Sequence, residues 1–134
     1  YCTLAYAVFD FRAGEMRLSN SGLPYPLHYR SETGRCLPIE VAGVPLGALD
    51  GSTYEDRELK LQAGDVFVFY SDGVSEASRQ GEDYGSERLR RVIERQAAAD
   101  VGAIGDAIAE DLHAFLGDEE PSDDVTIVVV KVRT

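Results

Sequence analysis

The sequence predicts an α+β fold, and three observations carry that prediction. Short apolar or alternating runs, broken by Gly, Pro and acidic turns, fill the first part of the chain. Two segments with apolar residues at helical spacing follow, and one last apolar run, Val125 to Val130, comes after them. Strands first, then helices, then a strand argue for α+β rather than alternating βαβ units. The 134 residues are enough for a single domain with its own core, and 44% apolar with 28% charged residues is ordinary globular composition.

The elements follow in order. Thr3 to Phe11 alternates around Leu4, Tyr6, Val8 and Phe9, and Met16 to Asn20 returns after the turn Arg12-Ala13-Gly14-Glu15, a hairpin. Pro24 and Pro26 interrupt the chain before a short strand, Leu27 to Arg30; Ser31-Glu32-Thr33-Gly34 turns it towards Cys36 to Val41. Gly43 to Gly51 is a shaped loop rich in Gly and Pro. Tyr54 to Leu61 alternates as an exposed strand, and Ala63-Gly64-Asp65 turns into Val66 to Tyr70, a buried one. Ser86 is the expected N-cap of a helix with Leu89, Val92, Ile93 and Ala97 on one face. Asp100 is the expected cap of a second, with Val101, Ile104, Ile108, Leu112 and Phe115 at helical spacing and Gly117 as its stop. No internal repeat or interdomain linker interrupts this order.

Charge narrows the function. The net charge of −11, with Lys60 and Lys131 the only ammonium groups, argues against nucleic acid and against anionic lipid as partners. No apolar run approaches the roughly 18 residues of a membrane span and no basic-then-apolar leader is present, which says little for a chain that begins without Met; membrane contact by this segment is not expected, and the two cysteines point to a cytoplasmic setting. Cys2 and Cys36 have no metal-ligand spacing and read as two reduced thiols. The chain starts at Tyr1, without Met and directly in a strand, and reads as a piece of a longer polypeptide.

Chemistry concentrates at two strand ends. Tyr70-Ser71-Asp72-Gly73-Val74-Ser75-Glu76-Ala77 delivers a carboxylate and a glycine to the rim of a sheet, and Asp123-Asp124 immediately precedes the last apolar run. Carboxylates without His or Cys suit hard divalent cations such as Mg²⁺ or Mn²⁺. Two carboxylates about 4 Å apart repel by about 4 kcal/mol at an effective dielectric of about 20, a term that a bound cation reverses. Gly73 lets backbone approach such a site closely. Taken singly, an Asp-Gly after a strand or an Asp-Asp before one is common turn chemistry. Ser71 and Thr126 read as partners for nearby backbone or a carboxylate rather than nucleophiles, Glu76 as a cap, and His28 and His113 as surface or satisfied histidines. Asn20 and Gly22 read as loop-shaping residues.

These residues together resemble a known family. Residues 70–77 are similar to the "(Y/S)(T/S)DG(V/L)xEA" motif of the metal-dependent protein serine/threonine phosphatases (PPM), in particular the bacterial branch of sporulation stage II protein E and sigma-factor regulatory phosphatases. Thr3-Leu4-Ala5-Tyr6 with Asp10 resembles "ATLxYxxLD", Asn20-Ser21-Gly22-Leu23-Pro24 resembles "NAGHxP", and Gly43-Val44-Pro45-Leu46-Gly47 resembles "GxPLG". Leu61 to Asp65 resembles "LxPGD", Tyr84 to Leu89 resembles "(F/Y)GxERL", and Ser122 to Thr126 resembles "xDDxT". Each motif is weak alone; their order along the chain is specific.

The resemblance implies an antiparallel β-sandwich flanked by helices, a four-layer αββα fold, here incomplete at its N-terminus. Residues 1–134 would be the C-terminal portion of one such domain. It implies a two-metal site for Mn²⁺ or Mg²⁺ in the full domain, with Asp72 and Asp123 as ligands and Asp124 and Gly73 beside them. The implied reaction is hydrolysis of phosphoserine or phosphothreonine on a phosphorylated regulatory protein, an anti-sigma-factor antagonist, by a metal-activated water. The family's first metal motif, an Asp-Gly on an early strand, has no counterpart here, so this chain alone is expected to be inactive. Leu23 stands where the family has His, and Ala63 where it has Pro. The alternative reading is a non-catalytic phosphatase-like interaction module that binds a signalling partner. Unpaired sheet edges make a homodimer or a domain-swapped assembly the expected state.

Overall fold

The structure, a computed structural model, describes residues 1–133. The expected hairpin forms from β1 (Leu4–Asp10) and β2 (Glu15–Ser21), paired antiparallel from Leu4 opposite Ser21 to Asp10 opposite Glu15. Asp10 serves that turn: its Oδ1 accepts the amides of Arg12 (3.1 Å) and Ala13 (3.0 Å). β5 (Arg57–Lys60) pairs with the other edge of β2, giving a three-stranded sheet in the order β1-β2-β5. The second sheet contains β3 (Leu27–Arg30), β4 (Arg35–Pro38), β6 (Val66–Tyr70) and β9 (Ile127–Lys131), all antiparallel, in the order β4-β3-β6-β9.

β6 is apolar at every position because both its faces are covered. Val66, Val68 and Tyr70 face helices α2 (Gly85–Gln96) and α3 (Val101–Leu116), where they meet Leu89, Ile93, Ile104 and Ile108. Phe67 points the other way, into a second core with Met16, Leu18, Ile39, Val41 and Val132 between the sheets. The described residues therefore form three layers, helix on sheet on sheet. The outer face of the three-stranded sheet carries Leu4, Tyr6 and Val8, which are 43%, 63% and 47% exposed. A second helical layer, the fourth of the expected αββα order, is not among the described residues.

Several boundaries differ from the sequence expectation, each for a local reason. Residue 84, not Ser86, is the N-cap of α2: Tyr84 is buried and its hydroxyl donates to Asp111 Oδ2 at 2.6 Å, a tertiary anchor that fixes where the helix starts. Ser86 lies inside the helix. Asp100 caps α3 as expected, accepting the Ala103 amide at 2.8 Å, and Gly117 ends it at φ +60°. The run expected over Cys36 to Val41 ends as a strand at Pro38; beyond it the Ile39 amide turns back to the Pro26 carbonyl at 2.8 Å. The exposed strand expected from Tyr54 shrinks to Arg57–Lys60, the stretch that finds β2 as a partner. Between β6 and α2 the chain makes a one-turn helix, α1 (Asp72–Ser75), and a small hairpin of β7 (Ser78–Arg79) and β8 (Glu82–Asp83).

Helix side chains cover part of a sheet edge. On the edge strand β4, the Cys36 amide donates to Glu94 Oε2 at 2.8 Å, and the Cys36 carbonyl accepts from Arg90 Nε at 2.8 Å. Two residues one helical turn apart thus occupy the backbone groups that a further strand would otherwise pair with. Lys131, at the end of β9, donates to the carbonyls of Ala97 (2.8 Å) and Ala99 (2.7 Å) and so ties that strand to the corner between α2 and α3. Among the described residues no helix is long and apolar enough to cross a membrane.

Candidate metal centre

The antiparallel pairing of β6 with β9 decides what meets at the sheet rim. Tyr70 stands opposite Ile127, so the residues that follow β6 emerge beside those that precede β9. Asp72 thereby reaches the same end of the sheet as Asp123 and Asp124. The contact is close: a Cβ built on Gly73 would lie 2.1 Å from the Asp124 carbonyl oxygen and 2.8 Å from that of Asp123. Only a residue without a side chain leaves room for that loop. Gly73 is needed here for close approach, since it lies within α1 and does not adopt a positive φ.

Ser71 joins the two segments. Its amide donates to the Thr126 carbonyl at 3.1 Å, its hydroxyl donates to the Asp124 carbonyl at 2.9 Å, and its Oγ accepts the Thr126 amide at 2.9 Å. This is the backbone-bonding role expected of Ser71; in Thr126 it is the peptide groups, not the hydroxyl, that take part. Asp123 Oδ1 accepts the Asp124 amide at 2.7 Å, which shapes the turn into β9. Asp72 is half-buried, and Asp123 and Asp124 are exposed. Glu76 closes α1, its amide reaching the Asp72 carbonyl at 2.8 Å, and its side chain is exposed.

The donor set offered at this rim consists of carboxylate and carbonyl oxygens, which suit a hard divalent cation. The glycine cradle leaves space for backbone, with no Cβ in the way. Among the described residues no three His, Cys, Asp or Glu side chains converge on one point, so the rim offers part of a coordination shell. Behind it, an apolar groove of about 490 Å³ runs between the sheets, lined by Ala5, Ala7 and Phe9 on β1, by Phe69, and by Val128 and Val130 on β9. Ser71 and Thr126 stand at the end of the groove nearest the acidic rim.

Burial shifts the titratable groups near this core. The Tyr70 hydroxyl is pushed up to about 12 by burial, then by Cys36 and Asp72, and stays protonated. The Cys36 thiol is pushed up to about 12 by burial and by Glu94, so Cys36 is an inert core thiol.

A second polar centre lies at the opposite end of β6, and the sequence did not disclose it. Asp65 and His28 are both buried, with His28 Nε2 and Asp65 Oδ2 3.0 Å apart and the imidazole stacked on Phe67 at 4.3 Å. Burial lowers the His28 pKa, against the opposing pull of its Asp65 bond, so the ring is neutral and the contact is a hydrogen bond rather than an ion pair. Asp65 also accepts the Ser31 amide (2.9 Å), the Ser31 hydroxyl (3.1 Å) and the Gln62 amide (3.3 Å). His28 is thus a satisfied histidine, whereas His113 is exposed. The available signal was an acid directly before an all-apolar strand, with a His on a strand that could pair beside it. Asn20 shapes its loop as expected: its Nδ2 donates to the carbonyls of Leu23 (2.9 Å) and Val41 (3.2 Å). Gly22 adopts φ +88° with Pro45 against it.

Comparison with known proteins gives three kinds of finding. The profile of the family described as Stage II sporulation protein E (SpoIIE) matches residues 1–133. Phosphoserine phosphatase RsbU of Bacillus subtilis is 23% identical over 131 residues, which are 98% of this chain and 39% of RsbU. The SiaA-PP2C domain of Pseudomonas aeruginosa superposes with a TM-score of 0.80 at 19% identity, over 96% of this chain and 51% of that one. The phosphatase domain of SpoIIE from Bacillus subtilis, from crystals presoaked with Mn, superposes with a TM-score of 0.78 at 20% identity, over 98% of this chain and 56% of that one. The chain therefore spans about half the length of these solved domains. The likeness shows the expected phosphatase-type fold.

Proposed function

The chain belongs to the Stage II sporulation protein E family, and from that premise we propose that residues 1–134 are the C-terminal portion of a metal-dependent phosphatase domain. Its reaction is hydrolysis of phosphoserine or phosphothreonine on a phosphorylated regulatory protein of the anti-sigma-factor antagonist type. The observation that carries this reading is the contact of Gly73 with the carbonyls of Asp123 and Asp124, which gathers three acidic residues from two strand ends at one rim. RsbU, a phosphoserine phosphatase by name, and the Mn-presoaked SpoIIE phosphatase domain support it.

Asp72 and Asp123 are the proposed ligands. Gly73 admits the backbone, and Asp124 lies beside the ligands, its carbonyl held by Ser71. Mn²⁺ or Mg²⁺ held by these residues would supply charge neutralisation and lower the pKa of a bound water. The chain's own part is to hold acidic oxygens at a fixed spacing on rigid strand ends, which limits reorganisation as charge develops on the phosphoryl group. With only part of a coordination shell, the isolated chain hydrolyses phosphoester poorly. In the same reading it acts in the cytoplasm without touching membrane or nucleic acid, and copies of the chain associate through the open edges of β1 and β9.

Hydrolysis of a phosphoserine peptide by the parent polypeptide in Mn²⁺ tests the reading. Asp72→Asn and Asp123→Asn should each lower turnover by about 10²-fold or more at unchanged fold. Full activity in either variant would overturn the assignment. Absence of turnover in the wild-type parent, with Mn²⁺ binding retained, would instead support a phosphatase-like module that binds a signalling partner.

A further inference from the structure

Ser71 ends β6 at a point where its amide and carbonyl go separate ways. The amide continues the ladder to β9, donating to Thr126 one step beyond the Tyr70–Ile127 pair. The carbonyl has left the ladder and accepts the Val74 amide at 3.0 Å, starting the α1 turn that carries Asp72. In an uninterrupted antiparallel pair that carbonyl would accept the Thr126 amide. The Ser71 hydroxyl takes its place and, with its own proton, holds the Asp124 carbonyl. A hydroxyl has one donor and spare lone pairs, so both bonds form together. A residue without a hydroxyl would leave the Thr126 amide and the Asp124 carbonyl without these partners, and the Asp123–Asp124 loop would be bonded to residue 71 only through its amide and the Thr126 carbonyl.

We propose that Ser71 is a positioning residue of the metal centre, whose hydroxyl fixes the spacing between Asp72 and Asp123 and thereby sets the affinity for a divalent cation. The proposal rests on the reading of Asp72 and Asp123 as ligands. It requires a hydroxyl at position 71, not merely a side chain of similar shape. Thr and Val have the same shape and differ in the hydroxyl alone, so they separate the two requirements.

The test is Mn²⁺ binding to the parent polypeptide by calorimetry, with Ser71→Thr, Ser71→Val, Ser71→Ala and Asp72→Asn compared well below each variant's melting temperature. Ser71→Thr should bind within a few-fold of wild type. Ser71→Val and Ser71→Ala should each lose about 10- to 100-fold in affinity, the usual effect of removing a group that orients a ligand. A folded hydroxyl-free variant that binds like wild type overturns the proposal while leaving the ligand assignment intact. Asp72→Asn binding like wild type overturns the ligand assignment itself, and the proposal with it. If neither hydroxyl-free variant folded, amide exchange in the wild type decides: Mn²⁺ should slow exchange at Thr126, and an unchanged rate overturns the proposal.

Discussion

At Asp65 a carboxylate only 2% exposed accepts four hydrogen bonds, from His28, the Ser31 amide and hydroxyl, and the Gln62 amide. Asp65→Ala would leave the buried His28 ring without its partner and remove the bonds that hold the Ser31 and Gln62 turns to the start of β6. We expect a loss of about 3 kcal/mol, read as a lower urea midpoint at unchanged slope. His28 adds a pH dependence whose sign follows from its lowered pKa. Below the ordinary histidine value of about 6.5, the unfolded chain binds a proton that the folded chain refuses, so stability is complete above that pH and falls on acidification through it. Between pH 7 and 5 the melting temperature of the wild type should fall more steeply than that of His28→Gln; parallel curves would contradict the burial argument. Gly73→Ala would drive a methyl into the Asp124 carbonyl and should cost about 1–3 kcal/mol in a denaturant titration.

At the level of elements, the Arg90–Glu94 clamp on Cys36 predicts its own signature. Charged hydrogen bonds of this kind contribute about 1.5–3 kcal/mol each, and since both grip the backbone of one residue, Arg90→Ala and Glu94→Ala should be non-additive in a double-mutant cycle. Strict additivity would mean that the two bonds act independently. Elements with a strong pattern of their own were legible in the sequence: β3 and β6 over Leu27–Arg30 and Val66–Tyr70, and α3 from its Asp100 cap to Gly117. Those that owe their existence to distant partners were not. α1 and the β7–β8 hairpin are too short to show periodicity, and the start of α2 depends on a Tyr84–Asp111 bond that no local pattern encodes. The acidic strand ends could be read as candidates, but their meeting follows from the β6–β9 register, which is a tertiary fact. Asp65 was hidden because a Gly-Asp turn already explains itself without a buried histidine.

For the molecule as a whole, the net charge of −11 sets up a comparison between general screening and specific binding. Self-repulsion is relieved by any salt, so the melting temperature should rise modestly with NaCl. At matched ionic strength Mn²⁺ should raise it further in the wild-type parent but not in Asp72→Asn, since only a bound ion adds linkage stabilisation. Equal shifts in both proteins would leave no role for a site. The Tyr70–Ile127 pairing also bears on the order of events in folding. Everything from α1 to the end of α3 lies between those two residues along the chain, and closing so long a loop is entropically costly until packed helices offset it. The acidic rim is therefore expected to form late in folding, after α2 and α3 have packed onto β6. A nascent chain halted on the ribosome before Ile127 emerges would already expose Asp72, Asp123 and Asp124, but without the strand pairing that brings them to one rim.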